Sequence, residues 1–331
     1  MFLKKHVIVL HKASWGSKEL KIFSFYTESD KQVTGAAMGK SSSGGIIRET
    51  SRRVNCMSRR RVTEFLPFLL PLRRKQKIWC FYQKMKHDGN RYARRQAEER
   101  LPYIQYECTQ GLINPDSGYD IQYQYNKAHN LKVVSRRMQQ LIIEPGEVFS
   151  FWQLARGADH DDPYRPGLGL HDGKIVPVHG GGLCFMSELL YWMVLHTPLT
   201  VIEKHPHLVI SLPANPNAEM PAGIDATIQE GWSDLKFRND TDQPFQLILD
   251  FDEDSVHAQF RCAQPPCYRY EVTGSALVYS RKKGKIYRTQ DISRTLYAAA
   301  DGELVREEAC YTSRSRIDYP LPPETEITEE D

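Results

Sequence analysis

His179-Gly180-Gly181-Gly182-Leu183-Cys184 runs directly into Phe185-Met186-Ser187-Glu188-Leu189-Leu190-Tyr191-Trp192-Met193-Val194-Leu195-His196, and this stretch divides the chain. Phe185, Leu189, Trp192, Met193 and His196 fall on one face at helical spacing, and Pro198 stops the run, so a helix is predicted from Phe185 to His196. The three glycines free the backbone just ahead of it. A cysteine at a helix start meets unpaired N–H groups and the positive end of the helix dipole, a setting that favours the thiolate. Cys184 therefore reads as a reactive thiol. The plainer alternative is a tight turn followed by a small buried residue.

Downstream of this helix the period changes from 3.6 to 2. Leu199 to Glu203 and Leu208 to Leu212 read as strands, and Phe245, Leu247, Leu249 and Phe251 alternate with Gln246, Ile248 and Asp250 as a half-buried strand should. Asp240-Thr241-Asp242-Gln243 is a turn, Ser255 to Phe260 a hairpin partner, and Tyr268-Tyr270-Val272 and Ile286-Tyr287 are further strand pieces. Upstream, Asn90 to Glu99 is polar and helix-friendly, Tyr103 to Cys108 suits a strand, and Leu131, Val134, Met138 and Leu141 predict an amphipathic helix over 125–142. Val148 to Trp152 reads as a strand, and an Asp/Gly/Pro-rich loop leads to His179. The expected fold class is α+β, with helices in the N-terminal half and the Cys-bearing helix followed by a mainly antiparallel sheet.

The chain has 331 residues, 40% of them hydrophobic, enough for a normal core. No apolar run is long enough for a membrane-spanning helix, and the first 20 residues lack the apolar region of a secretory signal. Seven cysteines, odd in number and irregular in spacing, point to reduced thiols and a cytoplasmic location. The net charge of +3 conceals a strongly basic block from Arg52 to Arg100 and an acidic C-terminus. Four parts are expected: 1–56, a disordered extension including the glycine- and serine-rich stretch Gly35 to Gly45; 57–100, a basic amphipathic region; 101–290, the main domain; and 291–331, a segment with an acidic tail. Lys and Arg interleaved with Phe65, Phe68, Trp79 and Phe81 suit an anionic membrane surface, so residues 57–100 are expected to act peripherally at the inner face of the membrane. A solvated face on a packed helix is the bland alternative. No nucleic-acid motif accompanies the charge.

Beyond Cys184 comes His205-Pro206-His207, two histidines that share a face if extended. Asp225 and Asp234 follow. Cysteine at a helix start, then histidine and aspartate on strands, is the order used by papain- and transglutaminase-like enzymes. Their chemistry needs a base within reach of the thiol and a third group holding the base. Cys184 is then the nucleophile, His207 or His205 the base, and Asp225 or Asp234 the orienting group. The backbone N–H groups of 183–185 would meet an oxyanion. The His-x-His pair with a carboxylate or thiolate also resembles a zinc ligand set, but loose Asp/His clusters are common in solvated turns, and no metal or cofactor is expected.

The chain resembles the VanW family. The resemblance is carried by Met57 to Thr63, Phe65 to Pro71, Asn90-Arg91-Tyr92-Ala93, His129-Asn130-Leu131-Lys132 and Pro145-Gly146-Glu147 with Phe149-Ser150-Phe151-Trp152. It continues through Gly180 to Cys184, Leu195 to Thr200, Asp225-Ala226-Thr227, Asp234-Leu235-Lys236 and Arg238 to Asp242, over about 57 to 290. It marks Gly180, Gly181, Gly182, Phe185 and Trp152 as further site positions. The family usually carries Gln directly after the motif cysteine; Phe185 here removes that side-chain donor. The resemblance implies an accessory role in glycopeptide resistance and cell-wall precursor biology, with a precursor or peptide as the expected partner, but no reaction. Residues 1–56 lie outside it, and translation is expected to begin naturally at Met57.

Overall fold

A computed structural model describes residues 7–15, 18–26, 68, 70–171, 174–212 and 220–330, with backbone alone for 7–26. The 35–45 stretch and residues 57–67 at the start of the basic region lie outside the described residues. The chain divides between Arg73 and Arg74. In the first unit, β1 (Val7–Trp15) and β2 (Lys18–Tyr26) form an antiparallel hairpin.

The second unit is α+β, with mostly antiparallel pairing. Helix α1 (Leu70–His87) buries Tyr82 and Met85 and exposes Trp79. One four-stranded sheet has the order β3-β6-β11-β9, from β3 (Arg91–Tyr92), β6 (Glu147–Ser150), β9 (Thr200–Glu203) and β11 (Lys236–Arg238). A second has the order β4-β13-β12-β5, from β4 (Tyr103–Gly111), β5 (Leu141–Ile143), β12 (Phe245–Phe251) and β13 (Ser255–Cys262). The third is built on the 14-residue strands β16 (Lys285–Ala298) and β17 (Leu304–Ile317), joined by β10 (Val209–Ile210), β14 (Tyr268–Gly274), β15 (Val278–Lys282) and β18 (Thr328–Glu329). β7 (Pro166–His171) and β8 (Lys174–His179) form a separate hairpin.

The core gathers around Phe149, Phe237 and Phe260; the first two rings stack with centroids 4.4 Å apart. Helix α4 (Cys184–Leu195) runs through it and buries nine of the ten residues from Met186 to Leu195, with Glu188 half-buried. A helix apolar on all sides belongs inside a domain, and each fully buried Met or Leu contributes about 1.5–3 kcal/mol.

Several local expectations change. Asn90–Glu99 forms no helix: Ala93 and Ala97 donate to Val148 and Gln140, and Arg95 accepts from Ile142, so pairing with neighbours overrides helix propensity. Helix α2 is Gln122–Ser135, earlier and shorter than 125–142; a turn with Gln140 at φ +59° leads into β5. Trp152 belongs to the short helix α3 (Phe151–Ala155), whose N-cap Ser150 accepts from the Gln153 amide at 3.2 Å. The loop expected before His179 contains the β7–β8 hairpin. β12 is buried on both faces, because Gln246 turns inward and donates to the carbonyls of Ala97 and Glu99.

Candidate functional site

Each glycine of the 180–182 run meets a different requirement. Gly180 and Gly182 have φ of +69° and +95°, the left-handed region that side chains resist. Gly181 lies against Gly167 of β7 so closely that a Cβ would stand 2.3 Å from that residue's carbonyl carbon. A Cβ at Gly182 would stand 2.4 Å from Lys127 Cγ. Buried Asn130 of α2 fixes the loop. Its Nδ2 donates to the carbonyls of Gly181 at 3.0 Å and Arg165 at 2.9 Å, and its Oδ1 accepts from the Arg165 amide at 2.7 Å. The chain then turns into α4 at Cys184. Among the described residues, the N–H groups of Leu183 and Cys184 have no hydrogen-bond acceptor.

Two segments close over this helix start. Asp225, buried, accepts from the His207 backbone N–H at 2.6 Å and makes a short hydrogen bond to the same residue's Nδ1. Two bonds from one carboxylate fix both the ring orientation and the nitrogen that faces it. The Cys184 thiol is near enough to the same ring to favour its charged form. The Cys184 sulfur also lies 3.7 Å from Thr227 Oγ1 and 3.8 Å from the Ile228 carbonyl. Burial opposes charge on His207, but the Asp225 and Cys184 hydrogen bonds and charges outweigh it and raise the pKa to about 11.

The surrounding fold holds this alignment. Ser187, one turn along α4, donates to the Ala226 carbonyl. The Thr227 amide donates to the His205 carbonyl at 2.8 Å. From β17, Ser315 donates to the His207 carbonyl at 2.6 Å and Tyr311 to the Gly223 carbonyl at 2.9 Å; from β16, Gln290 accepts from the Gly223 amide at 2.6 Å.

The structure brings Cys184, His207 and Asp225 together and places the other candidates elsewhere. The His205 ring is bonded to Glu203 at 3.0 Å, and Glu203 also pairs with Lys236 at 2.9 Å. Asp234 accepts from Ser150 Oγ at 2.5 Å and from the Trp152 amide at 3.1 Å, at the start of α3. Burial raises its pKa to about 6. Trp152 donates from Nε1 to the Ser233 carbonyl and accepts at its own carbonyl from Tyr82, joining α1 to the 233–234 turn. Phe185 lies beside Lys127, whose Nζ is 5.1 Å from the ring centroid.

Two residues of the site went unread in the sequence. Glu188 is four residues beyond Cys184, hence on the same helix face, with Oε1 3.5 Å from His207 Nδ1. Burial is the main cause that raises its pKa to about 7, against the lowering charge of His207. Lys127, on α2, has its pKa lowered to about 8 by burial, opposed by the charge of Glu188. Donor atoms of Glu188, His207 and Asp225 lie within 4.8 Å of one another, near enough to share a metal ion. Nδ1 of His207 and both Asp225 oxygens are already hydrogen-bonded to each other's residue, so a metal would have to displace the bond that orients the ring.

Residues 126–261 match the family described as VanW like protein, a span that contains Lys127, Asn130, the glycine run and all three site residues. The chain is 42% identical over 273 residues to the vancomycin B-type resistance protein VanW of Enterococcus faecalis, covering 82% of this chain and 99% of that protein. It is 27% identical over 122 residues to the uncharacterized protein YoaR of Bacillus subtilis, covering 37% of this chain and 38% of that one. No solved structure matches. With so long a match at that identity, the chain belongs to the VanW family.

Proposed function

We propose that the protein is an accessory of glycopeptide resistance whose biochemical contribution is cysteine-dependent hydrolysis or acyl transfer at a peptide amide of a cell-wall precursor. The name of the Enterococcus relative supports the biological setting. The observation that supports the chemistry is His207, oriented by Asp225 and near enough to Cys184 for the thiol to favour its charge, at the start of a buried helix. Cys184 Sγ attacks the amide carbonyl carbon, and the proton held by His207 passes to the leaving nitrogen as the C–N bond breaks. A water or an amine then attacks the thioester; its proton goes to His207, the C–S bond breaks, and the acyl group leaves as acid or new amide. The unpaired N–H groups of Leu183 and Cys184 are suited to the oxyanion of both steps.

The test is resistance itself. In a host whose glycopeptide resistance depends on this gene, Cys184→Ser and Cys184→Ala are expected to lose the contribution while the protein accumulates normally. Full resistance with Cys184→Ala removes the enzymatic reading.

A second reading concerns where the protein acts. On α1 the buried stripe Tyr82 and Met85 faces the core, while Trp79 is 62% exposed and Arg74, Lys75 and Lys86 are exposed with it. An aromatic ring among cations suits an anionic lipid surface. Sedimentation with phosphatidylserine vesicles, weakened by salt and by Trp79→Ala, is the expected result. Equal recovery with neutral vesicles contradicts it. No helix among the described residues is long and apolar enough to cross a membrane.

A further inference from the structure

Lys127 is a cation without a close ion-pair partner at the start of the helix that carries Cys184. Its stem packs over Gly182, two residues before the cysteine, and its ammonium stands over the ring of Phe185, one residue after it. Among the described residues it makes no ion pair within 4 Å and no hydrogen bond. An aromatic face attracts an ammonium but does not neutralise it. Glu188, the carboxylate that feels its charge, is pushed up towards neutrality by burial and is a weak counter-ion. The positive potential is reinforced from two sides: the unpaired amides of Leu183 and Cys184 at the N-terminus of a 12-residue helix, and the proton on His207. A half-buried ammonium with no close ion-pair partner costs desolvation free energy that an anionic ligand group would offset. Lysine is also the side chain that meets a carboxylate as a point charge, at a site with no planar fork to offer.

We infer that the substrate of the Cys184 site carries a carboxylate close to the attacked carbonyl, and that Lys127 receives it. This rests on Cys184 being the nucleophile. Lys127 is then a specificity residue: it sets which acyl compounds approach the sulfur, and the chemistry proceeds through Cys184 and His207.

Iodoacetate and iodoacetamide separate the two ideas. Both alkylate a thiolate by forming an S–C bond with loss of iodide, but only iodoacetate carries a carboxylate next to the reacting carbon. Rates are read at the Cys184 peptide by mass spectrometry on the full-length protein. Lys127→Met, which keeps the apolar stem over Gly182, is expected to lower the iodoacetate rate about tenfold and leave the iodoacetamide rate within twofold. Lys127→Arg is expected to restore most of the iodoacetate rate, and Glu188→Gln to raise it. An iodoacetate-to-iodoacetamide ratio unchanged by Lys127→Met overturns the inference while leaving the nucleophile intact. Failure of Cys184 to react with either reagent, with Cys267 still labelled, instead overturns the reading on which it rests. Protection of Cys184 from iodoacetamide by N-acetyl-alanylalanine, and not by its C-terminal amide, assigns the carboxylate to a chain terminus; protection by N-acetyl-aspartate amide assigns it to a side chain.

Discussion

His207 owes its state to two neighbours. Its pKa is raised to about 11, so the native protein holds a proton there that the unfolded chain releases near pH 6.5. The stabilisation is complete below about pH 6.5 and is lost as the pH rises through about 11. Asp225→Asn should therefore cost about 3–5 kcal/mol near pH 6, and the difference from wild type should shrink as denaturation is repeated at pH 9 and 10. Glu188 behaves oppositely in consequence. Its carboxyl, raised to about 7, is neutral and harmless at low pH and is ionised at a cost above pH 7. Glu188→Gln should stabilise by about 1–2 kcal/mol at pH 8 and by nothing below pH 4.5, read from urea midpoints. At this scale the sequence marked Cys184, and marked His207 and Asp225 only as members of pairs. His205 and His207 share a strand face, and which of two aspartates meets them depends on loops that carry no periodic signal. Glu188 was legible as the residue one helical turn from Cys184; its burial was not.

The glycine turn is the element on which the site depends. Gly181 and Gly167 touch backbone to backbone, so no side-chain rotation can relieve a methyl group there. Gly181→Ala should cost about 2–3 kcal/mol or displace the turn, with loss of Cys184 reactivity. Gly146 also has positive φ, at +77°, but with open space around it, so Gly146→Ala should cost about 1 kcal/mol and leave the thiol unaffected. Asn130→Ala leaves the Gly181 and Arg165 carbonyls and the Arg165 amide without this partner and should cost about 1–3 kcal/mol. Helix α4 and strand β12 were legible as apolar runs bounded by turn residues, and β13 because its apolar residues recur at a period of 2, although the burial of α4 and β12 on every side was not. The β7–β8 hairpin was not, because its glycines and prolines read as loop. Of its glycines, Gly167 makes the close approach that positions Gly181, and Gly169 makes room for Val178.

In the molecule as a whole, the site lies where α4 meets the β16–β17 sheet, and distant strands hold its short segments. β17 belongs to residues read in sequence as a C-terminal segment beyond the main domain, yet its Ser315 and Tyr311 anchor the His207 and Asp225 stretches. Such pairing over about a hundred residues leaves no local trace in a sequence. This assembly makes Cys184 a nucleophile, and the rate of iodoacetamide modification of each cysteine at pH 7, resolved by peptide mass spectrometry, tests it. Cys184 should react at least tenfold faster than exposed Cys267, and His207→Asn should lower its rate about tenfold or more and so remove that advantage. A Cys184 that reacts no faster than Cys267, or whose rate is indifferent to His207→Asn, would contradict the claim.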